Sequence, residues 1–258
     1  MSAPRLIRVL ANSQALLLCL AEQGPMTPAA IASRTGIPRS SVYRLGEGLA
    51  AVGMVEIRDD ATLALADRWL TLADRAANAF DIGSAGEVVL NELAEKTGQT
   101  VYLSVRHHGA AMCVRWAPGS AVSMMLLKPG RSLPLHVGAA GRLILAFDPD
   151  GAASLPGELK RFTPCTLTSR AQLDADSAEI RSRGYSLSDE DVTSGIGAIG
   201  APVWVDGSLG AVLSVAGLAD EIRARADEIA AAAVDAADSL SGSMSQRSQG
   251  ADLSAVEA

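Results

Sequence analysis

Residues 27–52 read TPAAIASRTGIPRSSVYRLGEGLAAV. Thr27 is a strong N-cap, and Pro28 stands at the first helical position, where its missing N–H costs nothing. Ala30, Ile31 and Ala32 give this helix a small apolar face. Gly36 can take the positive φ that ends a helix, so the first helix stops there. Ile37 turns inward and Pro38 opens a second helix. Val42, Leu45, Leu49 and Val52 then share one face of a 3.6-residue period. The opposite face and the N-terminal end carry Arg39, Ser40, Ser41, Tyr43 and Arg44. Two guanidinium groups, two aliphatic hydroxyls and a phenol suit phosphates and base edges in a major groove. The same pattern occurs in helical domains that bind no nucleic acid, so the flanks decide.

On the C-terminal side Gly53-Met54-Val55-Glu56-Ile57 alternates like a strand, Asp59-Asp60 makes a turn, and Leu63 and Leu65 alternate again. A helix–turn–helix followed at once by a hairpin is a winged helix, with the hairpin beside the groove. The run from Gly36 to Leu45, with Leu49 and Gly53, resembles the DNA-binding helix of the IclR family of bacterial transcriptional regulators. The resemblance implies double-stranded operator DNA as partner. Thr27, Arg39, Ser40, Ser41, Tyr43 and Arg44 would form the DNA-binding face, with Arg58 on the wing meeting phosphate. In one departure, Gly46 stands where the family usually has leucine, and Gly48 follows. Each helical glycine costs about 1 kcal/mol relative to alanine, which predicts a short or frayed recognition helix.

The chain has 258 residues, enough for two modest domains, and is 48% hydrophobic but only 3% aromatic, so aliphatic side chains must fill its cores. No apolar run reaches the roughly 18 residues a membrane span needs, and no secretory signal pattern is present, which predicts a cytoplasmic protein without a membrane partner. The net charge of −7 looks wrong for a DNA binder. Its distribution matters more, because residues 1–50 hold Arg5, Arg8, Arg34, Arg39 and Arg44 against Glu22 and Glu47. Cys19, Cys113 and Cys165 are dispersed and make neither a disulfide framework nor a zinc ribbon. His107, His108 and His136 lack metal-ligand spacing, so neither a metal nor a cofactor is expected.

Leu6, Val9, Leu10, Leu16, Leu17 and Leu20 make a first helix ending at Gln23-Gly24. Asp67 to Ala79 is amphipathic and reads as a connector. The expected organisation is a winged helix-turn-helix domain over 1–66, a connector helix over 67–81, a sensor domain over 82–241 and a disordered tail over 242–258. Within 82–241 a helix ends at Lys96-Thr97-Gly98. Thr100–Arg106 and Ala111–Trp116 are strand-like across His107-His108-Gly109-Ala110. Gly138-Ala139-Ala140-Gly141 leads into an apolar helix to Phe147, another helix runs from Ala171 to Arg183, a hairpin turns at Asp206-Gly207, and a long helix spans Ala219–Leu240. This order is not a βαβ repeat; it predicts an α+β class with helices on the faces of an antiparallel sheet. Pro134-Leu135-His136 with Gly141, Ile180 to Tyr185, Gly195-Ile196 through Ala201-Pro202-Val203, and Ser214 to Gly217 again resemble the IclR family. The resemblance, over about residues 5–241, implies a GAF-like effector-binding domain.

Two motifs are set aside. Gly195, Gly197 and Gly200 match GxGxxG, but acidic residues precede them and a strand-like run follows, so close packing or ligand clearance is the reading. Ser188-Asp189-Glu190-Asp191 reads as a solvated turn. There is no GxSxG or HExxH, and nothing requires catalysis. A cytosolic small-molecule enzyme with an N-terminal helical domain stays as the alternative, as does a protein-interaction module. The resemblance carries effector-binding positions onto Ala139 and Ala140 in a loop before a helix, Val122, Met125, Leu133 and Ile196 on an apolar wall, and Ser188, Ala198, Ser214 and Ala216 on a polar side. Family members that bind small hydrophilic acids have an acid, a thiol and a second serine where this chain has Ser188, Ala198 and Ala216. Fewer polar groups predict a compact organic effector with an apolar body, an aromatic or carboxylate catabolite, anchored by Ser214 and loop amides. A homodimer through Leu6, Trp69 and Leu72, or a dimer of dimers, is expected because one winged helix reads few base pairs.

Overall fold

Thr27 Oγ1 accepts the Ala30 N–H at 3.3 Å, and Gly36 closes the same helix at φ +72°, so both ends of the quoted stretch's first helix are fixed by the residues expected to fix them. The computed structural model describes residues 7–78, 83–120 and 127–256. The chain divides into two units, Met1–Asp81 and Ile82–Ala258.

In the first unit α1 (Arg8–Gln23), α2 (Pro28–Thr35) and α3 (Arg39–Ala51) surround a small aliphatic core of Leu16, Leu20, Ile31, Ile37, Val42, Val55 and Leu63. The wing is β1 (Val55–Ile57) paired antiparallel with β2 (Leu63–Leu65), and Met26 bridges Leu63 from the α1–α2 turn. The recognition helix is neither short nor frayed: α3 runs unbroken for 13 residues. A Cβ at Gly46 would lie 2.8 Å from Leu63 Cδ1, so glycine is the residue that lets the wing close onto the helix. Here packing outweighs propensity. The last helix of the unit, α4 (Arg68–Asn78), is tied to the wing by Arg68 Nη1 donating to Val52 O and Trp69 Nε1 donating to Met54 O at 2.7 Å.

The second unit is an α+β sandwich. After α5 (Gly83–Thr97) come β3 (Thr100–His107), β4 (Ala110–Ala117), β5 (Ser132–Pro134), α6 (Gly138–Phe147), α7 (Pro149–Ala153), α8 (Arg170–Arg183), β6 (Ser186–Asp189), β7 (Ile196–Val205), β8 (Ser208–Leu218), α9 (Ala219–Ala224) and α10 (Ala226–Val256). The sheet is antiparallel throughout, in the order β5-β4-β3-β8-β7-β6. Strand alternation sorts its faces. Val101, Leu103, Ile199, Val203, Leu213 and Val215 pack against α5 and α10. The other face meets α6, which is buried along most of its length and packs on α8. Asp206 and Gly207 both take positive φ in the tight β7–β8 turn, as a two-residue hairpin demands.

Three expectations need correction. The long helix is broken at Arg225, whose guanidinium donates to Thr97 O and pairs with Glu228 in place of continuing the turn. The segment from 242 is helical as far as Val256 rather than a disordered tail; Met244 packs on the core, and Ser241 Oγ accepts the Trp204 N–H. Ser188 and Asp189 lie in the edge strand β6, not in a loop.

Candidate functional site

The recognition helix presents two surfaces. Arg39, Ser40, Tyr43 and Arg44 are exposed, with Tyr43 at 45%, while Ser41 is half-buried. Arg39 and Tyr43 stand one turn apart, and the guanidinium donates weakly to the Tyr43 hydroxyl at 3.4 Å. Ser41 and Arg44 turn toward α1, where they line a shallow groove with Arg8 and Asn12. Thr27 is exposed and its hydroxyl is committed to capping α2. Arg58 opens the wing turn, in which Asp60 Oδ1 accepts both the hydroxyl and the N–H of Thr62. The side-chain bond from Thr62, before the other contributions, holds the Asp60 carboxyl below its usual range. This rigid, polar turn carries its cation outward. Leu6 and Arg5 lie outside the described residues.

In the second unit a cavity of about 130 Å³ lies between the start of α6 and the sheet. Leu133, Ala139, Ala140 and Ile196 line it, as do Ser188, Ala198, Ser214 and Ala216. Val122 and Met125 lie outside the described residues. The strand register explains the grouping: Ser188, Ala198 and Ala216 pair in one row across β6, β7 and β8, and Ser214 and Tyr102 pair in the next row, two residues along on the same face. Reading positions alone missed Tyr102, Ser104, Val137, Val192 and Thr193, which also line it. The signal for two of them was in the alternation, since Tyr102 and Ser104 interleave with Val101, Leu103 and Val105. Ser104 is 1% exposed and Ser214 6%, and neither hydroxyl has a hydrogen-bond partner among the described residues. Buried hydroxyls without partners cost free energy, so they favour a guest that supplies them.

Behind the lining, two members of the expected solvated turn, Ser188 and Asp191, are buried. Asp191 is 2% exposed. Its Oδ2 accepts the Gly138 N–H at 3.1 Å and the Arg142 Nη1 at 3.2 Å, and its Oδ1 accepts the Ser188 hydroxyl. Arg142 is also forked onto Asp176 through Nε and Nη2. Burial opposes the Arg142 charge, but the bonds and charge of Asp176, then of Asp191, outweigh it and hold the guanidinium above its ordinary value. A lone arginine in the otherwise uncharged run from Gly138 to Phe147 is the sequence signal for such a partner. Asp189 and Glu190 are held from outside by Arg223, at 3.1 and 2.9 Å. Two glycines of the motif sit at close approaches: a Cβ at Gly200 would meet Ser186 Oγ at 2.7 Å, and one at Gly197, which also lines the cavity, would meet Ile222 at 3.1 Å, whereas Gly195 takes positive φ in open space. No group of His, Cys, Asp or Glu able to hold a metal occurs among the described residues. No described helix is long and apolar enough to cross a membrane.

Two family models match the two units in turn. Residues 9–59 match the IclR helix-turn-helix domain, and residues 75–242 match the bacterial transcriptional regulator IclR C-terminal domain. The chain belongs to the IclR family. It is 31% identical over 252 residues to the HTH-type transcriptional regulator BhcR of Paracoccus denitrificans, covering 93% of this chain and 88% of that one. The IclR regulator structure from Alicyclobacillus acidocaldarius superposes with a TM-score of 0.78 at 24% identity, over 93% of this chain and all of that one. An IclR homologue from Microbacterium hydrocarbonoxydans, complexed with 4-hydroxybenzoate, gives 0.79 at 20% identity, over 92% and 98%. This IclR-family chain is therefore a helix-turn-helix transcriptional regulator, with a winged helix followed by an α+β effector unit.

Proposed function

We propose that the protein reads operator DNA with Arg39, Ser40, Ser41, Tyr43 and Arg44 in the major groove. Thr27, at the start of α2, and Arg58, on the wing, hold flanking phosphates. The 130 Å³ cavity takes a compact organic effector that changes operator affinity, in keeping with control of a catabolic operon. The observation that carries the effector reading is the pair of buried, unpartnered hydroxyls, Ser104 and Ser214, opening into an otherwise apolar cavity. The volume fits one ring, since an engineered apolar cavity of about 150 Å³ accepts benzene. The aromatic ligand of the Microbacterium homologue supports an effector of that size.

Anisotropy titration of the full chain against its own upstream DNA tests the DNA half. The double variant Arg39→Ala, Arg44→Ala is expected to lose about 1–3 kcal/mol for each base-reading arginine and to relax sequence preference. Undiminished operator binding by that variant would overturn the assignment. For the effector half, Ala140→Trp fills the cavity mouth and is expected to abolish ligand response while leaving operator binding intact; a full response would overturn it.

A further inference from the structure

The cavity has a charge character that its shape does not disclose. Its lining carries no charged side chain among the described residues, and Ala121 to Leu126 contain none in their sequence. The ionic groups behind the lining are Arg142, Asp176 and Asp191, one cation against two anions. Each of the three guanidinium nitrogens of Arg142 donates to those carboxylates, and the side chain is not part of the lining, so its charge is compensated behind the cavity wall. The start of α6, whose first-turn N–H groups could receive an anion, already holds the Asp191 carboxylate on its Gly138 N–H. The remaining half-charge of that helix end is outweighed by a full negative charge at its tip. Ser188 spends its proton on Asp191, so toward the cavity its oxygen can only accept.

We propose that the cavity selects an uncharged, hydroxyl-bearing guest of single-ring size and discriminates against the matching carboxylate. Its apolar side takes the ring, Ser188 accepts a hydroxyl or amide proton from the guest, and Ser104 and Ser214 satisfy what remains. A carboxylate in the same place would approach Asp191 with no free cation to compensate, and a low-dielectric setting strengthens that repulsion. This rests on the cavity being the effector site, and it narrows the aromatic-acid class to the neutral members.

The test is calorimetry on the full chain with isosteric pairs at neutral pH: benzamide against benzoate, and 3- and 4-hydroxybenzamide against the corresponding hydroxybenzoates. Each amide is expected to bind about ten-fold or more tightly than its acid. In Asp191→Asn, whose amide oxygen can keep the Gly138 bond while its NH2 donates to the Ser188 hydroxyl, the ratio is expected to fall toward one. If that variant fails to fold, the wild-type ratios alone decide. Acids that bind as well as or better than the amides, and lose binding in Ala140→Trp, would overturn the charge proposal while leaving the effector site standing. Binding of no compound, or binding unmoved by Ala140→Trp, would overturn both.

Discussion

Cys113 lies in β4 with no exposed surface, and its thiol donates only to the Arg115 carbonyl at 3.3 Å. Burial pushes its pKa up to about 12 from an ordinary value of 9.0, the carbonyl contact notwithstanding. Above pH 9 the unfolded thiol ionises while the folded one does not, so the unfolded state holds fewer protons and stability falls as pH rises. The expected slope from this residue is roughly 1 kcal/mol per pH unit between about 9 and 12. Urea titrations of wild type and Cys113→Ala across that range check it: the gap between them should close or reverse as pH rises, and parallel curves would contradict it. Native labelling should modify the exposed Cys165 and spare Cys113. Both thiols were legible as unpaired from spacing alone. Which one is buried was not, because that depends on β4 lying between β3 and β5.

Two glycines of α3 separate propensity from packing. Gly48 has nothing within 4 Å of a built Cβ, whereas Gly46 meets Leu63, itself 3% exposed. Gly48→Ala is expected to stabilise by about 0.5–1 kcal/mol. Gly46→Ala, with the same gain in propensity, is expected to destabilise by about 1–3 kcal/mol because Leu63 must leave its rotamer in a closed core. Thermal unfolding of the two variants decides, and equal shifts would show that the wing yields easily. These elements show what a sequence can and cannot disclose. Caps, turns and strand parity are local, so α2, the Asp206-Gly207 hairpin and the opposed faces of β3 could be read directly. The continuity of α3 could not, since it depends on a leucine seventeen positions away. Asp191 was misread for the same reason: its partners Gly138 and Arg142 come from a helix some fifty residues earlier. The eight described positions carried over by resemblance line one cavity, Val122 and Met125 lying outside the described residues, whereas Tyr102 and Ser104 needed the register of β3 against β8.

At the scale of the molecule, the first unit leaves Ile7 and Leu10 each 62% exposed on and before α1, and Leu70 74% exposed on α4. Trp69, expected at a subunit contact, spends its indole N–H inside its own unit, so Leu70 is the better candidate. A dimer burying these residues is expected, with Leu10→Glu, Leu70→Glu shifting sedimentation toward monomer and weakening operator binding; a wild-type monomer at operator-saturating concentration would contradict it. The build of α6 has a consequence of another kind. Eight of its ten residues are buried and Arg142 fastens it to α8 and to the β6–β7 connection. Such a helix has no local way to open, so its amides should exchange with deuterium only when the whole unit unfolds. Thr193, Ser194 and Gly195, exposed at the cavity's edge, should exchange orders of magnitude sooner. A guest would then slow the fast amides of that connection and leave the relative order of the slow ones unchanged. Arrival of a ligand is recorded in the residues that hesitate least, while α6 keeps time for the fold.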